Sequence, residues 1–163
     1  MKKKYNTSLQ KYSKMNKRIK NAIVWVLAYA ILIFLFLTFV TKNISYVVRV
    51  IDGDTFVILT GERVRLIGID TPEIGEKCYE EAKEYLKNLV EGRIVILTYD
   101  KRRYDNYGRL LAYVWLGTTL VNELMIKEGY AVVFTKEDFF YKKKFIDLEN
   151  HTKVNKIGCL WNK

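Results

Sequence analysis

Apolar and polar positions divide the chain into two unlike parts. From Ala22 to Val40 the sequence AIVWVLAYAILIFLFLTFV contains no charge, proline or glycine. A helix over this run extends about 28 Å, close to the hydrocarbon thickness of a bilayer. A core helix of a small domain keeps a polar face, and this run has none. Beyond it the period shortens. Ile44–Ile51 (ISYVVRVI) and Thr55–Leu59 (TFVIL) are β-branched and aromatic, with Asp52-Gly53-Asp54 as a turn between them. Val64–Ile69 (VRLIGI) alternates, which puts Arg65 on one face of a strand. Tyr79, Ala82, Leu86, Leu89 and Val90 recur at helical spacing and predict a helix over Glu76–Val90, stopped by Gly92.

Arg93–Tyr99 and Arg109–Leu116 then predict strands on either side of a polar loop, Asp100–Gly108. A helix is expected over Thr119–Glu128, capped by Thr118 or Thr119 and ended by Gly129. A short strand at Ala131–Phe134 and a last helix at Phe139–Val154 complete the pattern. The class is α+β with a mainly β core. Five strands with a helix before the fourth fit a Greek-key OB-type barrel, one option among small α+β folds.

Charge sharpens the division. The 163 residues carry 28 Lys+Arg against 18 Asp+Glu, a formal net charge of +10. Eight of the cations lie in residues 1–20, which contain no acid, whereas residues 44–163 are close to neutral. The excess therefore reports topology and contact with anionic lipid rather than a nucleic-acid footprint. The expected organisation is a basic cytoplasmic tail (1–21), a transmembrane signal anchor (22–41) and an outward-facing domain (44–163). A secreted form after signal cleavage is the alternative, although Phe39-Val40-Thr41-Lys42 offers no small-x-small cleavage site.

One histidine and two cysteines exclude a closed four-ligand Cys/His zinc site and favour a hard cation held by oxygen. Three segments place polar groups at strand ends: Ile51-Asp52-Gly53-Asp54-Thr55, then Arg65-Leu66-Ile67-Gly68-Ile69-Asp70-Thr71-Pro72-Glu73, then Asp105-Asn106-Tyr107-Gly108-Arg109. Singly they read as a hairpin turn, a helix N-terminus and a polar loop. Together they supply carboxylates for a Ca²⁺-like ion, a carboxylate for base work and two arginines, an inventory suited to phosphodiester cleavage.

In this order the three segments resemble the staphylococcal nuclease (thermonuclease) family, over about residues 45–161. The resemblance implies a five-stranded OB barrel with about three helices and a Ca²⁺-dependent nuclease acting on DNA or RNA. It implies that Asp54, Asp70 and the Thr71 carbonyl bind Ca²⁺ and that Glu73 positions or deprotonates the attacking water. Arg65 and Arg109 would grip the phosphate, Asp52 would support from behind, and Tyr107 would touch a substrate phosphate. Water attack with loss of the 5′-oxygen would leave 3′-phosphate ends. The chain departs from the family in a shorter loop at Ile74–Glu80, in Asn106 where a lysine is usual, and in lacking a base-stacking tyrosine near Thr135; Phe134 and Phe139 are the nearest aromatics. A catalytically inactive binding module is the alternative, though Arg65, Glu73 and Arg109 are all present. No obligate protein partner is evident.

Cys78 and Cys159 are either bonded or independent thiols, and spacing leaves both open. Lys142-Lys143-Lys144 beside Phe139, Phe140 and Tyr141 reads as a solvated helix face or as a strand-binding patch, and Tyr104 carries the same ambiguity. His151 reads as structural or solvated.

Overall fold

The computed structural model describes residues 2–41 and 43–162. The chain divides into two compact units between residues 42 and 43. The first is one helix, α1 (Lys2–Thr41). Within it Lys17–Phe36 is long and apolar enough to cross a membrane, and none of that stretch is buried.

The second unit is a closed barrel. β1 (Ile44–Val50) pairs antiparallel with β2 (Thr55–Ile58), with Val50 opposite Phe56 and a bulge between Val47 and Arg49. β2 pairs antiparallel with β3 (Arg63–Leu66). β5 (Ile94–Thr98) lies on the other side of β1, and β6 (Leu110–Leu116) lies on β5. A parallel pairing of β3 with β6 closes the cylinder. Alternation fills it: Val47, Phe56, Val64, Leu66, Leu97 and Val114 are fully or almost fully buried. The five-stranded OB-type barrel expected from the sequence is the observed fold, and an apolar helix precedes it.

The strand expected at Val64–Ile69 is two strands. The Ile67 amide makes the last bond of the β3–β6 pairing, to Ala112 O at 3.0 Å, and Gly68 then turns the chain at φ 78°. The chain re-enters a separate two-stranded sheet as β4 (Ile69–Asp70), paired with β8 (Val132–Val133). Asp70 thus belongs to a different sheet from β3.

α2 (Tyr79–Val90) buries Tyr79, Ala82, Leu86 and Val90, one apolar stripe. It starts later than expected because Cys78 occupies the left-handed region at φ 75°. α3 (Val121–Lys127) is capped by neither Thr118 nor Thr119. Thr119 and Leu120 form β7, paired with Leu116 and Trp115, so the helix begins directly after an extended residue. α4 (Lys142–Val154) starts three residues after Phe139, and the short α5 (Gly158–Trp161) follows it. The Phe140 amide is held by Asp100 Oδ2 at 2.8 Å, which keeps residues 139–141 outside the helix.

Asn122 on α3 is wholly buried and welds helix to barrel. Its Oδ1 accepts the Val114 amide at 2.9 Å, and its Nδ2 donates to Ile67 O and Ala112 O at 3.0 and 3.2 Å. Asn122→Ala strands one buried donor and weakens satisfaction of two carbonyls. A loss on the order of 3 kcal/mol is expected, read as a lower urea midpoint with an unchanged m-value.

Candidate active site

The turn between β1 and β2 is tightly wound. The amides of Ile51 and Asp52 both donate to Thr55 O, at 2.8 and 3.3 Å, and Asp52 Oδ1 accepts the Asp54 amide at 3.1 Å. A glycine is needed at its centre because a Cβ on Gly53 would meet Thr71 Oγ1 at 2.7 Å. The close approach carries Asp54 inward, where it is buried. Its Oδ1 accepts the Thr55 hydroxyl at 2.9 Å, and its Oδ2 accepts the Thr71 hydroxyl at 3.3 Å and pairs with Arg65 Nη1.

Arg65 arrives from β3. Its Nη2 reaches Asp70 Oδ1 at 2.7 Å and Ile69 O at 3.3 Å. One guanidinium therefore spans two carboxylates from different elements. Burial lowers the Arg65 pKa while the Asp70 carboxylate opposes that shift; Arg65 remains a cation. Asp52 behind it has its pKa raised by burial, and the Thr55 hydrogen bond and the charges of Arg65 and Arg109 offset this only in part. Both arginines therefore act on the same carboxyl group.

Arg109 stands just before β6, in a loop folded back on itself. Asp105 N donates to Arg109 O at 3.0 Å, and Gly108 at φ 71° allows the tight return. Asp105 organises this loop. Its Oδ1 accepts the amides of Tyr107 and Arg109 at 2.8 and 2.9 Å, and its Oδ2 holds Arg109 Nε at 2.6 Å. Burial would raise the Asp105 pKa, but these donors hold it below its usual range. The Arg109 guanidinium also lies 5.4 Å from the centre of the exposed Tyr107 ring.

Arg65, Arg109 and Tyr107 line one cleft of about 330 Å³ whose other walls include Leu111, Phe134 and Phe139. Its floor is sculpted by Gly68, since a Cβ there would strike the Phe139 ring. Arg102 braces the rim, bonded to Glu137 at 2.9 Å and to Asn106 Oδ1 at 2.7 Å.

Thr71 is buried against Asp54, and Glu73 is exposed on the segment after β4, its amide held by Glu76 Oε2 at 2.8 Å. Asp54, Asp70, Thr71 and Arg65 thus form one constellation, and Arg65, Arg109 and Tyr107 share one cleft. Glu73 follows Asp70 by three residues, within about 10 Å along the chain. Cys78 and Cys159 are bonded, their Cα atoms 5.7 Å apart. Lys142 and Lys144 each meet a partner within the protein. Lys142 Nζ donates to Thr135 O and Glu137 O at 3.1 and 3.0 Å, and Lys144 pairs with Glu123 at 2.6 Å. Asp105 stands in the third of the sequence segments, with no role of its own assigned to it there. An Asp four positions before an Arg across a glycine turn is its signal.

Among the described residues no three His, Cys, Asp or Glu side chains gather as a metal cluster. Two carboxylates do converge tightly enough to share one guanidinium, with a threonine segment packed against them. That all-oxygen set fits a hard divalent cation whose remaining ligands are carbonyl and water.

A family model described as Staphylococcal nuclease homologue matches residues 63–163. The chain belongs to the staphylococcal nuclease family. It is 39% identical over 108 residues to a thermonuclease of Staphylococcus hyicus, covering 60% of this chain and 64% of that protein. It is 45% identical over 97 residues to a thermonuclease of Staphylococcus intermedius, covering 53% of this chain and 58% of that protein. An uncharacterized endonuclease of Escherichia coli is 35% identical over 120 residues, 71% of this chain and 75% of that protein. The match thus spans less than two thirds of each staphylococcal relative. The family match begins at β3 and takes in Arg65, Asp70 to Glu73 and Asp105 to Arg109; the Asp52–Asp54 turn lies before it.

Proposed function

We propose that the chain is a membrane-anchored, Ca²⁺-dependent nuclease cleaving DNA or RNA to 3′-phosphate ends. The observation that carries this reading is the pair of arginines, delivered by β3 and by the loop before β6 into one cleft, with two carboxylates bound to the first of them. The names of the relatives, thermonuclease and endonuclease, support it.

Arg65 and Arg109 would hold the scissile phosphate through planar paired donors and stabilise the charge that grows on its oxygens. A phosphate competes for Arg65 with Asp54 and Asp70, freeing those carboxylates. Asp54, Asp70 and the Thr71 carbonyl would hold the ion, which when bound supplies positive charge that polarises a phosphoryl oxygen. Glu73 would take a proton from water as the water oxygen bonds to phosphorus. The bond from phosphorus to the 5′-oxygen breaks, and that oxygen takes a proton from solvent. Tyr107 would meet a neighbouring phosphate, and the partly exposed Phe134 would face a base. Residues 1–21 would form a cytoplasmic tail, 22–41 the anchor and 44–163 an outward-facing nuclease domain, the sign expected from eight cations before the span.

The full chain in detergent is incubated with single-stranded DNA and with RNA, in millimolar Ca²⁺ or with chelator. Cleavage in Ca²⁺ alone, with 3′-phosphate ends, is the expected result. No cleavage in either buffer would return the chain to the binding-module reading.

A further inference from the structure

Three neighbouring strands turn apolar side chains outward as well as inward. On β1, Ile44, Tyr46 and Val48 are exposed; on β5, Ile94 is 64% and Ile96 41% exposed. Register sets Ile44 opposite Ile96 and Tyr46 opposite Ile94, and sets Ile96 opposite Trp115 of β6. Paired residues share a face of the sheet. Ile44, Ile96 and Trp115 therefore form one row across three strands, with Tyr46 and Ile94 beside it. Trp115 Nε1 donates to Thr98 Oγ1 at 2.9 Å, so the indole's polar atom is satisfied within the sheet. A sheet with one solvated face alternates apolar-in with polar-out. Here both faces are apolar, and a contiguous exposed patch of this kind marks an interaction surface.

Three features select the occupant. Only Thr41, Lys42 and Asn43 separate the last residue of the apolar run, Val40, from Ile44, so at most about 14 Å of chain intervenes. β1 carries Arg49 and Arg93 precedes β5, the strands β1, β5 and β6 contain no acid, and the nearby Glu91 carboxylate is engaged by the Val50 amide at 2.8 Å, a balance that suits an anionic surface. Tyrosine and tryptophan are the aromatic side chains that settle at the headgroup level of a bilayer. We infer that the face made by Ile44, Tyr46, Ile94, Ile96 and Trp115 lies on the surface of the bilayer that residues 22–41 cross. This rests on the anchor proposed above.

The test uses the full chain in vesicles of phosphatidylcholine and phosphatidylglycerol, with and without brominated acyl chains. The protein has three tryptophans. With Trp25→Phe and Trp161→Phe only Trp115 emits; with Trp115→Phe and Trp161→Phe only Trp25 does. Trp161 is replaceable because its indole nitrogen has no hydrogen-bond partner. Brominated lipid is expected to remove most of the emission at both positions. Loss at Trp25 without loss at Trp115 overturns the inference and leaves the anchor standing; loss at neither overturns both. Adding Ile94→Glu and Ile96→Glu to the Trp115-emitting chain changes only exposed positions. It is expected to restore Trp115 emission with circular dichroism unchanged, and persistent quenching would overturn the assignment of the face. Trp115 emission that follows protein density rather than bromination would give the face to a second copy and overturn the inference.

Discussion

Arg109→Ala is expected to lower kcat/KM on single-stranded DNA by a factor on the order of 10³ or more, since a charged donor to the transferring phosphate is lost. Glu73→Ser should lower kcat by roughly 10²–10⁴-fold with KM little changed, as removal of a general base does. Asp105→Asn tests how Arg109 is held. The Arg109 guanidinium stays charged but loses its carboxylate clamp at Nε, so a smaller fall than for Arg109→Ala is expected. Steady-state kinetics in millimolar Ca²⁺, with circular dichroism as the check on folding, reads all three. Full activity in Glu73→Ser would overturn the role given to that carboxylate. Equal losses in Asp105→Asn and Arg109→Ala would mean that orientation, rather than charge, sets the contribution of Arg109.

Reduction of the Cys78–Cys159 bond is the largest expected effect on stability. The two residues are 81 positions apart, so the bond closes most of the barrel domain into one loop. Loops of that size predict a stabilisation of about 4–5 kcal/mol by chain entropy, and removal of native disulfides costs roughly 2–5 kcal/mol. A fall in Tm of roughly 10–20 °C is expected on adding reductant. Cys78→Ala with Cys159→Ala should melt where the reduced protein does, in either buffer. Activity should fall with it near the new Tm, because Cys78 terminates the segment that carries Glu73. Identical melting of oxidised and reduced protein would show that the helices dock without the bond.

These residues also mark the limits of reading the chain alone. Runs of β-branched and aromatic residues make β1, β2, β5 and β6 visible, and the stripe from Tyr79 to Val90 makes α2 visible because burial on one helix face leaves a period in the sequence. The break at Ile67 and Gly68 is hidden. Apolar residues continue through it, and only the positive φ of Gly68 and the change of partner from β6 to β8 reveal the turn. The same holds for Thr119, a sound cap by composition whose backbone is already committed to pairing with Leu116. At the candidate site the three motifs are legible as chemistry. Their convergence is not, since periodicity names no partner for a strand. Asp105 is obscured for a related reason: a loop rich in polar residues does not disclose which carboxylate turns inward to its own arginine. The Cys78–Cys159 pairing depends on a Cα separation that spacing cannot supply.

The parallel seam between β3 and β6 has a consequence for how such a protein would be made. Arg65 lies on one side of the seam and Arg109 enters from the other, and the intervening helix and strands must fold before the edges meet. Long-range closure of this kind comes late in folding. A chain threaded through a membrane in extended form would carry one phosphate grip without its counterpart until the last strand docked. On the outward-facing topology proposed above, the two halves of the grip would meet only after export, on the far side from the nucleic acids of the cell that made it.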